Sequence, residues 1–149
     1  MSGVSDSVAD IYEPFDPQSR RVAVRPTTAG LHAVKLGDPW LYDGSISSAD
    51  PADLPAGSVA VIFDGRRVVG VGLWDPSSPI CVKVLHSGGP LNVDRQLWID
   101  RLEVAKARRG ALIDDPSTTA WRWVHGENDS LPGLVLDRYD DTLVIKLYS

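Results

Sequence analysis

Residues with nucleophilic or metal-binding side chains are few in this sequence and lie far apart. The one cysteine, Cys81, stands in an apolar run, and the three histidines occupy positions 32, 86 and 125. A structural zinc site needs four such ligands at short spacings, and a hydrolytic triad needs a nucleophile beside a histidine and an acid. A cysteine among apolar residues usually packs as a small hydrophobe. We therefore predict no catalytic residue and no metal site, and we place Cys81 in the core.

Two further patterns resemble functional sites but have a simpler structural explanation. Glu127, Asp129 and Asp137 could bind a divalent cation or transfer protons, yet acidic residues in turns usually bond to nearby backbone groups. The segment 70–72, Gly-Val-Gly, lacks the third glycine of the dinucleotide-binding fingerprint and lies between apolar strand residues. Close packing explains both of its glycines. No cofactor-binding residue is therefore predicted.

The pattern with the most chemical content is the loop at 36–42, Leu-Gly-Asp-Pro-Trp-Leu-Tyr, together with three bases. Gly37 ends a predicted helix, and a glycine there lets the backbone approach a phosphate or a base closely. Arg25, Lys35 and Lys83 are predicted to lie on neighbouring elements, where their charges would contact phosphates. These four residues form the predicted polyanion-binding site.

Composition restricts the classes of protein to which this chain can belong. It has 149 residues, of which 43% are hydrophobic and 23% charged, as in an ordinary soluble globular protein. This balance excludes a coiled coil, a disordered tail or a membrane span as the main structure. The formal net charge of −5 is unevenly spread, because residues 20–110 hold twelve bases and nine acids between two acidic ends. A mildly basic middle is compatible with a polyanionic partner.

The first half of the chain reads as short strands around one helix. Thr27 or Thr28 can cap a helix that runs to about Lys35, and Gly37 is a suitable C-cap. Trp40 is expected to fill the interior of the resulting barrel, and Gly44 to form a bulge. Arg66 and Arg67 fall in a hairpin turn, where solvation and nucleic-acid contact are equally compatible with the sequence. The predicted strands are 20–25, 40–46, 59–63, 68–74 and 80–85.

The second half has a different pattern, which begins after the glycine-proline turn at 88–90. A helix is predicted over 95–112, and the residues on its packing face are Trp98, Leu102, Ala105, Arg109 and Leu112. Strands are predicted over 121–124, 134–138 and 143–148, so the helix should pack on a sheet. The last strand ends without the closing turn or charged residue that normally protects an edge strand from pairing with another chain. We therefore expect the second unit to be truncated.

Two groups of residues resemble one known family. The loop at 37–42, the segment 70–80 with Asp75-Pro76, and Lys83-Val84-Leu85 resemble the N-terminal PUA domain of bacterial ribosomal RNA large-subunit cytosine methyltransferases. The segment 126–139, with Leu-Pro-Gly-Leu followed by Asp-Arg-Tyr, resembles the central domain of the same enzymes. The resemblance covers roughly residues 20–149.

The resemblance implies a function for the whole protein and a narrower one for this chain. Members of the family use S-adenosylmethionine to form 5-methylcytosine, through a C-terminal Rossmann-like domain that holds the cofactor and the reactive cysteines. Cys81 matches none of those cysteines, so these 149 residues alone are expected neither to bind the cofactor nor to methylate. Asp38 stands where the family usually has histidine, and Asp43 stands where a small polar residue is usual. Their charges oppose phosphate binding by that loop.

The sequence thus predicts a mainly β chain, a small PUA-like β-barrel followed by a partial α+β domain with a helix on a sheet. The divisions are a flexible acidic arm at 1–19, an RNA-binding domain at 20–90 and part of a linking domain at 91–149. The predicted partners are structured RNA, namely large-subunit ribosomal RNA, and a C-terminal methyltransferase domain, in the cytoplasm and away from membranes. The alternatives are a stand-alone RNA-binding module, a truncated product and a protein-interaction domain.

Overall fold

The computed structural model describes residues 20–148. The predicted acidic arm at 1–19 lies outside the described residues. The first part of the described chain contains β1 (Arg21–Pro26), α1 (Thr28–Leu36), β2 (Trp40–Tyr42), β3 (Ile46–Asp50), β4 (Ser58–Asp64), β5 (Arg67–Trp74) and β6 (Ile80–Ser87). The second part contains α2 (Arg95–Ala107), α3 (Gly110–Ile113), β7 (Ala120–His125), β8 (Leu134–Tyr139) and β9 (Thr142–Leu147).

The first six strands form one sheet in the order β2-β6-β5-β4-β1-β3. β1 and β4 pair in parallel, and the other neighbours are antiparallel. The sheet curls into a half-barrel with β2 and β3 at its two edges, as expected for a PUA-like domain. Apolar side chains from every strand fill its concave side, and among them Val22, Ile62 and Val82 are fully buried.

Helix α1 packs on the half-barrel and has the two caps that its sequence predicts. The Thr27 side chain accepts a hydrogen bond from the backbone N–H of Gly30, and Val34 reaches the core. Gly37 takes a left-handed conformation with φ of 86°, which side chains other than glycine rarely tolerate. Its N–H, donated to the Val34 carbonyl, helps to end the helix.

The second sheet, β7-β8-β9, packs on α2 as predicted. Ala105 of the helix and Val124 and Leu136 of the sheet are buried against each other. Trp98 also contacts a separate apolar cluster that includes Val71 and Leu85 of the first sheet. Helix α2 therefore packs against both sheets.

The helix predicted over 95–112 is interrupted near its end, because α2 ends at Ala107 and a short α3 begins at Gly110. At Arg109 the backbone leaves the helical region, with φ of −102° and ψ of 10°. Its guanidinium bonds to Asp129 and to the Arg122 carbonyl as well as to Ala105 of α2, and the following glycine is a poor helix former. Leu112, predicted on the packing face, is consequently exposed.

Two other local predictions differ from the structure. Trp40 does not fill the half-barrel: it is half-buried and its indole N–H donates to Glu127 across the boundary between the two sheets, at 3.0 Å. Leu41 takes the interior position on β2 instead, because side chains alternate along the strand, and Trp74 of β5 packs in the same core. Gly44 lies in a 3-10 turn over Asp43–Ser45 rather than in a bulge.

Strand β9 is the edge of the second sheet and is exposed along its whole length. Its apolar side chains Leu143, Ile145 and Leu147 are each at least half exposed. Within residues 20–148, no helix is both long and apolar enough to cross a bilayer.

Candidate nucleic-acid interface

A basic groove lies where the β4–β5 hairpin meets the end of α1. The cavity measures about 240 Å³, and Lys35, Asp64, Arg67, Ser87 and Gly88 line it. The two-residue turn of the hairpin sets Asp64 directly opposite Arg67. Lys35, in the last turn of α1, reaches the same place because Val34, next to it, is anchored in the core. We call this site the hairpin groove.

The bases around the hairpin groove outnumber the acid. Lys35 Nζ lies 2.8 Å from the carboxylate of Asp64, and both side chains remain about half exposed. Arg25 stacks its guanidinium over the ring of Phe63, at 5.5 Å from the ring centroid. Arg25 and Lys35 thus contact consecutive residues at the end of β4, Phe63 and Asp64. Exposed ion pairs of this kind are weak, so Lys35 can exchange Asp64 for another anion.

Gly37 lies next to the hairpin groove on an exposed turn. A Cβ placed on it would meet no atom within 4 Å, so open space lies beside this backbone. The turn also carries Asp38, whose carboxylate accepts the backbone N–H of Trp40. A second small cavity, lined by Gly37 and Asp38, shares Ser87 with the hairpin groove.

Lys83 does not lie with Arg25 and Lys35. Its side chain is only 11% exposed, and Nζ stands 3.6 Å from Oδ2 of Asp75, which is equally buried. The pair lies where the first sheet meets the second unit at Gly133. A Cβ placed on Gly133 would lie only 3.4 Å from Lys83 Cδ. Sequence reasoning missed this pairing because an isolated lysine in a strand gives no sign of its partner.

The acidic residues at 127, 129 and 137 have three separate structural partners. Asp129 is 3% exposed and accepts two hydrogen bonds from Arg109, each of 2.7 Å. Burial raises the pKa of Asp129, but hydrogen bonds from Arg109, the His125 backbone and Arg108 outweigh it and hold the pKa below its usual value. Asp137 pairs with the exposed Arg122, and Glu127 holds Trp40.

Cys81 packs in the core, as predicted, and is 5% exposed. Burial, followed by the negative charges of Asp43 and Asp75, raises the pKa of its thiol. The protonated thiol is a poor nucleophile and a poor metal ligand. Among the residues that the structure describes, no three His, Cys, Asp or Glu side chains are grouped so that they could hold a metal ion.

Sequence reasoning also left Arg66, Arg67 and Arg101 without a role. Arg66 lies in the hairpin turn and Arg67 begins β5, and Arg67 comes close to Lys35 only because the hairpin meets the end of α1. Arg101 donates to the carbonyl of Leu85 at 2.7 Å and to that of Ser130, so it ties the first sheet to the second unit. The spacing of Arg101 and Arg108 on one helix face is the only sequence signal for such a role.

Comparison with known proteins supports the PUA-like interpretation. A family profile described as a PUA-like domain matches residues 27–87. A ribosomal RNA large subunit methyltransferase of Deinococcus radiodurans is 40% identical in an alignment of 134 residues that covers 87% of this chain and 33% of that protein. The ribosomal RNA large subunit methyltransferase I of Alteromonas mediterranea is 32% identical over 111 residues, which are 74% of this chain and 28% of that protein.

Solved structures share the same fold. The structure of a proposed SAM-dependent methyltransferase from Streptococcus mutans superposes with a TM-score of 0.73 at 17% identity, over 85% of this chain and 33% of that one. A proposed methyltransferase in complex with SAH gives a TM-score of 0.70, also at 17% identity, over 87% of this chain and 33% of that one. The chain spans about a third of the length of these relatives. The predicted resemblance is thus confirmed: residues 27–87 match a PUA-like domain, and most of the chain is similar to ribosomal RNA large subunit methyltransferases.

Proposed function

We propose that this chain binds structured RNA, namely large-subunit ribosomal RNA, and positions it for methylation by a domain outside these 149 residues. The observation that carries the proposal is a cationic groove on a PUA-like fold. The names of the relatives, ribosomal RNA large subunit methyltransferases, support the choice of RNA.

The hairpin groove supplies the phosphate contacts in this proposal. Lys35 and Arg67 line it with the acid Asp64, Arg66 precedes Arg67 in the turn, and Arg25 contacts Phe63, which precedes Asp64 in β4. These side chains contact the backbone of the RNA, so they recognise its shape rather than its bases. Gly37 allows a phosphate to approach the adjoining turn. The negative charges of Asp38 and Asp43 repel phosphates there, so the turn contacts fewer of them than the groove does.

The chemical step belongs to the larger protein in this proposal. By its resemblance, that step is the transfer of a methyl group from S-adenosylmethionine to form 5-methylcytosine in the cytoplasm. Residues 20–90 bind the RNA, and residues 91–149 join that domain to the catalytic one. The SAH bound to a structurally similar methyltransferase supports the choice of cofactor for the larger protein.

Measurement of RNA affinity against salt concentration tests the RNA-binding role. The logarithm of the affinity of the 149-residue chain for a ribosomal RNA fragment should fall linearly with the logarithm of salt concentration. The double variant Lys35→Ala/Arg67→Ala should bind more weakly and reduce this salt slope by about two, about one for each lost phosphate contact. The matched control Arg95→Ala/Lys106→Ala removes the same charge from α2 and should keep both the affinity and the slope.

An affinity that is independent of salt, or an equal loss in both double variants, contradicts the proposal. The first result leaves the protein-interaction alternative, and the second indicates that only the total charge matters. If the chain binds RNA equally well with and without a catalytic domain, the stand-alone module gains support.

A further inference from the structure

An open cleft separates the half-barrel from the second sheet, on a different part of the surface from the hairpin groove. Its volume is about 290 Å³, close to the lower limit of about 300 Å³ for pockets that enclose small ligands. Leu73, Asp75 and Lys83 form the wall on the first sheet, and Gly133 and Tyr148 the wall on the second. We call this site the intersheet cleft.

One buried acceptor in the intersheet cleft, Oδ2 of Asp75, has no hydrogen-bond donor among the described residues. Asp75 Oδ1 accepts the backbone N–H of Ser77, but Oδ2 has no hydrogen-bond partner within residues 20–148. The side chain of Asp75 is 6% exposed, and Lys83 Nζ at 3.6 Å is too far away to donate to it. A buried charge pair without further hydrogen bonds is costly, so a partner that supplies them is favoured.

The remaining lining of the intersheet cleft is apolar and includes one aromatic ring. Leu73, Leu147 and Pro132 contribute apolar surface, and Tyr148 contributes an aromatic ring. Lys146 Nζ lies 4.7 Å from the centroid of that ring. A Cβ at Gly133 would lie 2.8 Å from the carbonyl oxygen of Tyr148. The same Cβ would lie 3.4 Å from Lys83 Cδ on the opposite wall, so a side chain at this position would crowd the cleft.

We propose that the intersheet cleft accepts one unstacked nucleobase of the bound RNA, one that carries an exocyclic amino group beside a ring acceptor. The amino group donates to Asp75 Oδ2, and the ring acceptor receives a hydrogen bond from Lys83 Nζ. Carboxylates accept from such amino groups in base recognition, and the Watson–Crick edges of cytosine and adenine have the required pattern. The ring packs among the apolar side chains beside Tyr148, as bases extruded from a strand pack in protein pockets.

This inference rests on the proposed RNA binding but concerns a different surface. The hairpin groove contacts the RNA backbone without regard to sequence, whereas the intersheet cleft reads a single base. Lys83 accordingly changes from a predicted phosphate contact to a base contact, which agrees with its burial beside a carboxylate.

The test is an NMR titration of the ¹⁵N-labelled 149-residue chain with mononucleotides. CMP and AMP should shift the backbone amides of Gly57, Lys83 and Gly133, and UMP should bind there at least about tenfold more weakly because a carbonyl replaces the amino group. Ribose 5-phosphate, which has no base, should shift only amides of the hairpin groove, such as those of Arg67 and Gly88.

The outcomes distinguish this inference from the proposed function. A response of the hairpin groove without any response of the intersheet cleft overturns the nucleobase site and leaves RNA binding intact. Equal binding of UMP and CMP overturns the amino-group requirement. No response at either place, to mononucleotides or to the ribosomal RNA fragment, overturns both proposals.

A pair of double variants supplies the second measurement. Asp75→Asn/Lys83→Met removes both charges together, so neither is left buried alone, and it should weaken CMP and AMP binding at the cleft at least about tenfold while the hairpin groove still responds. Glu103→Gln/Lys106→Met makes the same changes in charge on exposed positions of α2 and should bind as the unchanged chain does. If the first variant fails to fold, the titration of the unchanged chain decides alone.

Discussion

Asp129 is the residue on which the second unit depends most directly. Its carboxylate joins Arg108 and Arg109, which follow α2, to the backbone N–H of His125 at the end of β7. A buried carboxylate with four donors is fully satisfied, whereas its removal leaves buried donors without acceptors. The contribution of this residue to stability is therefore larger than that of the exposed acids.

The substitution Asp129→Ala should lower the free energy of unfolding by about 3 kcal/mol, because breaking a buried ion pair leaves its partner uncompensated. Urea-induced unfolding, followed by tryptophan fluorescence, measures this change. Asp137→Ala is the control, since its partner Arg122 is exposed. A loss in the control as large as that in Asp129→Ala would contradict the role of burial.

The same carboxylate predicts how stability depends on pH. Because the pKa of Asp129 is lower in the folded than in the unfolded chain, its contribution is complete above the unfolded value of about 3.9. It is lost as the pH falls below that value and through the folded pKa. Unfolding free energies measured from pH 6 down to pH 2 should therefore fall more steeply for the unchanged chain than for Asp129→Asn. Parallel curves for the two proteins would exclude this linkage.

At the scale of the elements, the β5–β6 pair depends on how closely two backbones approach. A Cβ at Gly72 would lie 2.5 Å from the carbonyl oxygen of Lys83 and 2.6 Å from a methyl group of Val82. Those atoms belong to the paired strand and to the core, so they cannot move aside easily. This contact explains why glycine occurs within a strand that otherwise favours branched side chains.

The substitution Gly72→Ala should destabilise the half-barrel by about 2 kcal/mol, the usual cost of overpacking a core. Thermal unfolding measured by circular dichroism tests this expectation. Gly44→Ala is the matched control, because a Cβ there meets no atom within 4 Å and the backbone needs no left-handed conformation. Equal melting temperatures for Gly72→Ala and the unchanged chain would show that the strands can separate without cost.

At the scale of the whole molecule, the two sheets are held together by a small number of specific contacts. Trp98 packs in the apolar clusters of both, Trp40 donates to Glu127, and Arg101 bonds to backbone carbonyls of Leu85 and Ser130. Burial lowers the pKa of Arg101, although its guanidinium stays charged. Both walls of the intersheet cleft depend on this arrangement.

The substitution Arg101→Met should retain the packing of the long side chain but lose both hydrogen bonds, at a cost of about 2 kcal/mol. Amide hydrogen exchange should become faster at the contact between the sheets, around residues 85 and 130, while the centre of the half-barrel keeps its protection. Arg95→Met, at an exposed position of the same helix, is the control. Uniformly faster exchange across the chain would mean that the sheets unfold as one unit.

The sequence by itself determined the local structure and the family resemblance. Alternating apolar residues, Thr27 and Gly37 as helix caps and the hairpin turn predict their elements correctly, because each depends on residues close together in the chain. The core position of Cys81 followed in the same way, and the PUA-like fold followed from the resemblance to a known family. The domain boundary between residues 90 and 91 and the roles of Arg25, Lys35, Gly37 and Lys83 stay predictions.

Only the tertiary structure decided which distant side chains meet. Asp129 and Arg109 are 20 residues apart, and Trp40 and Glu127 are 87 residues apart, so no local pattern could pair them. The same holds for the buried pair of Lys83 and Asp75, for the turn of the chain at Arg109 and for the grouping of Lys35 with Arg67. Each depends on the register of paired strands and on the packing of a helix across two sheets, which many small contacts set together.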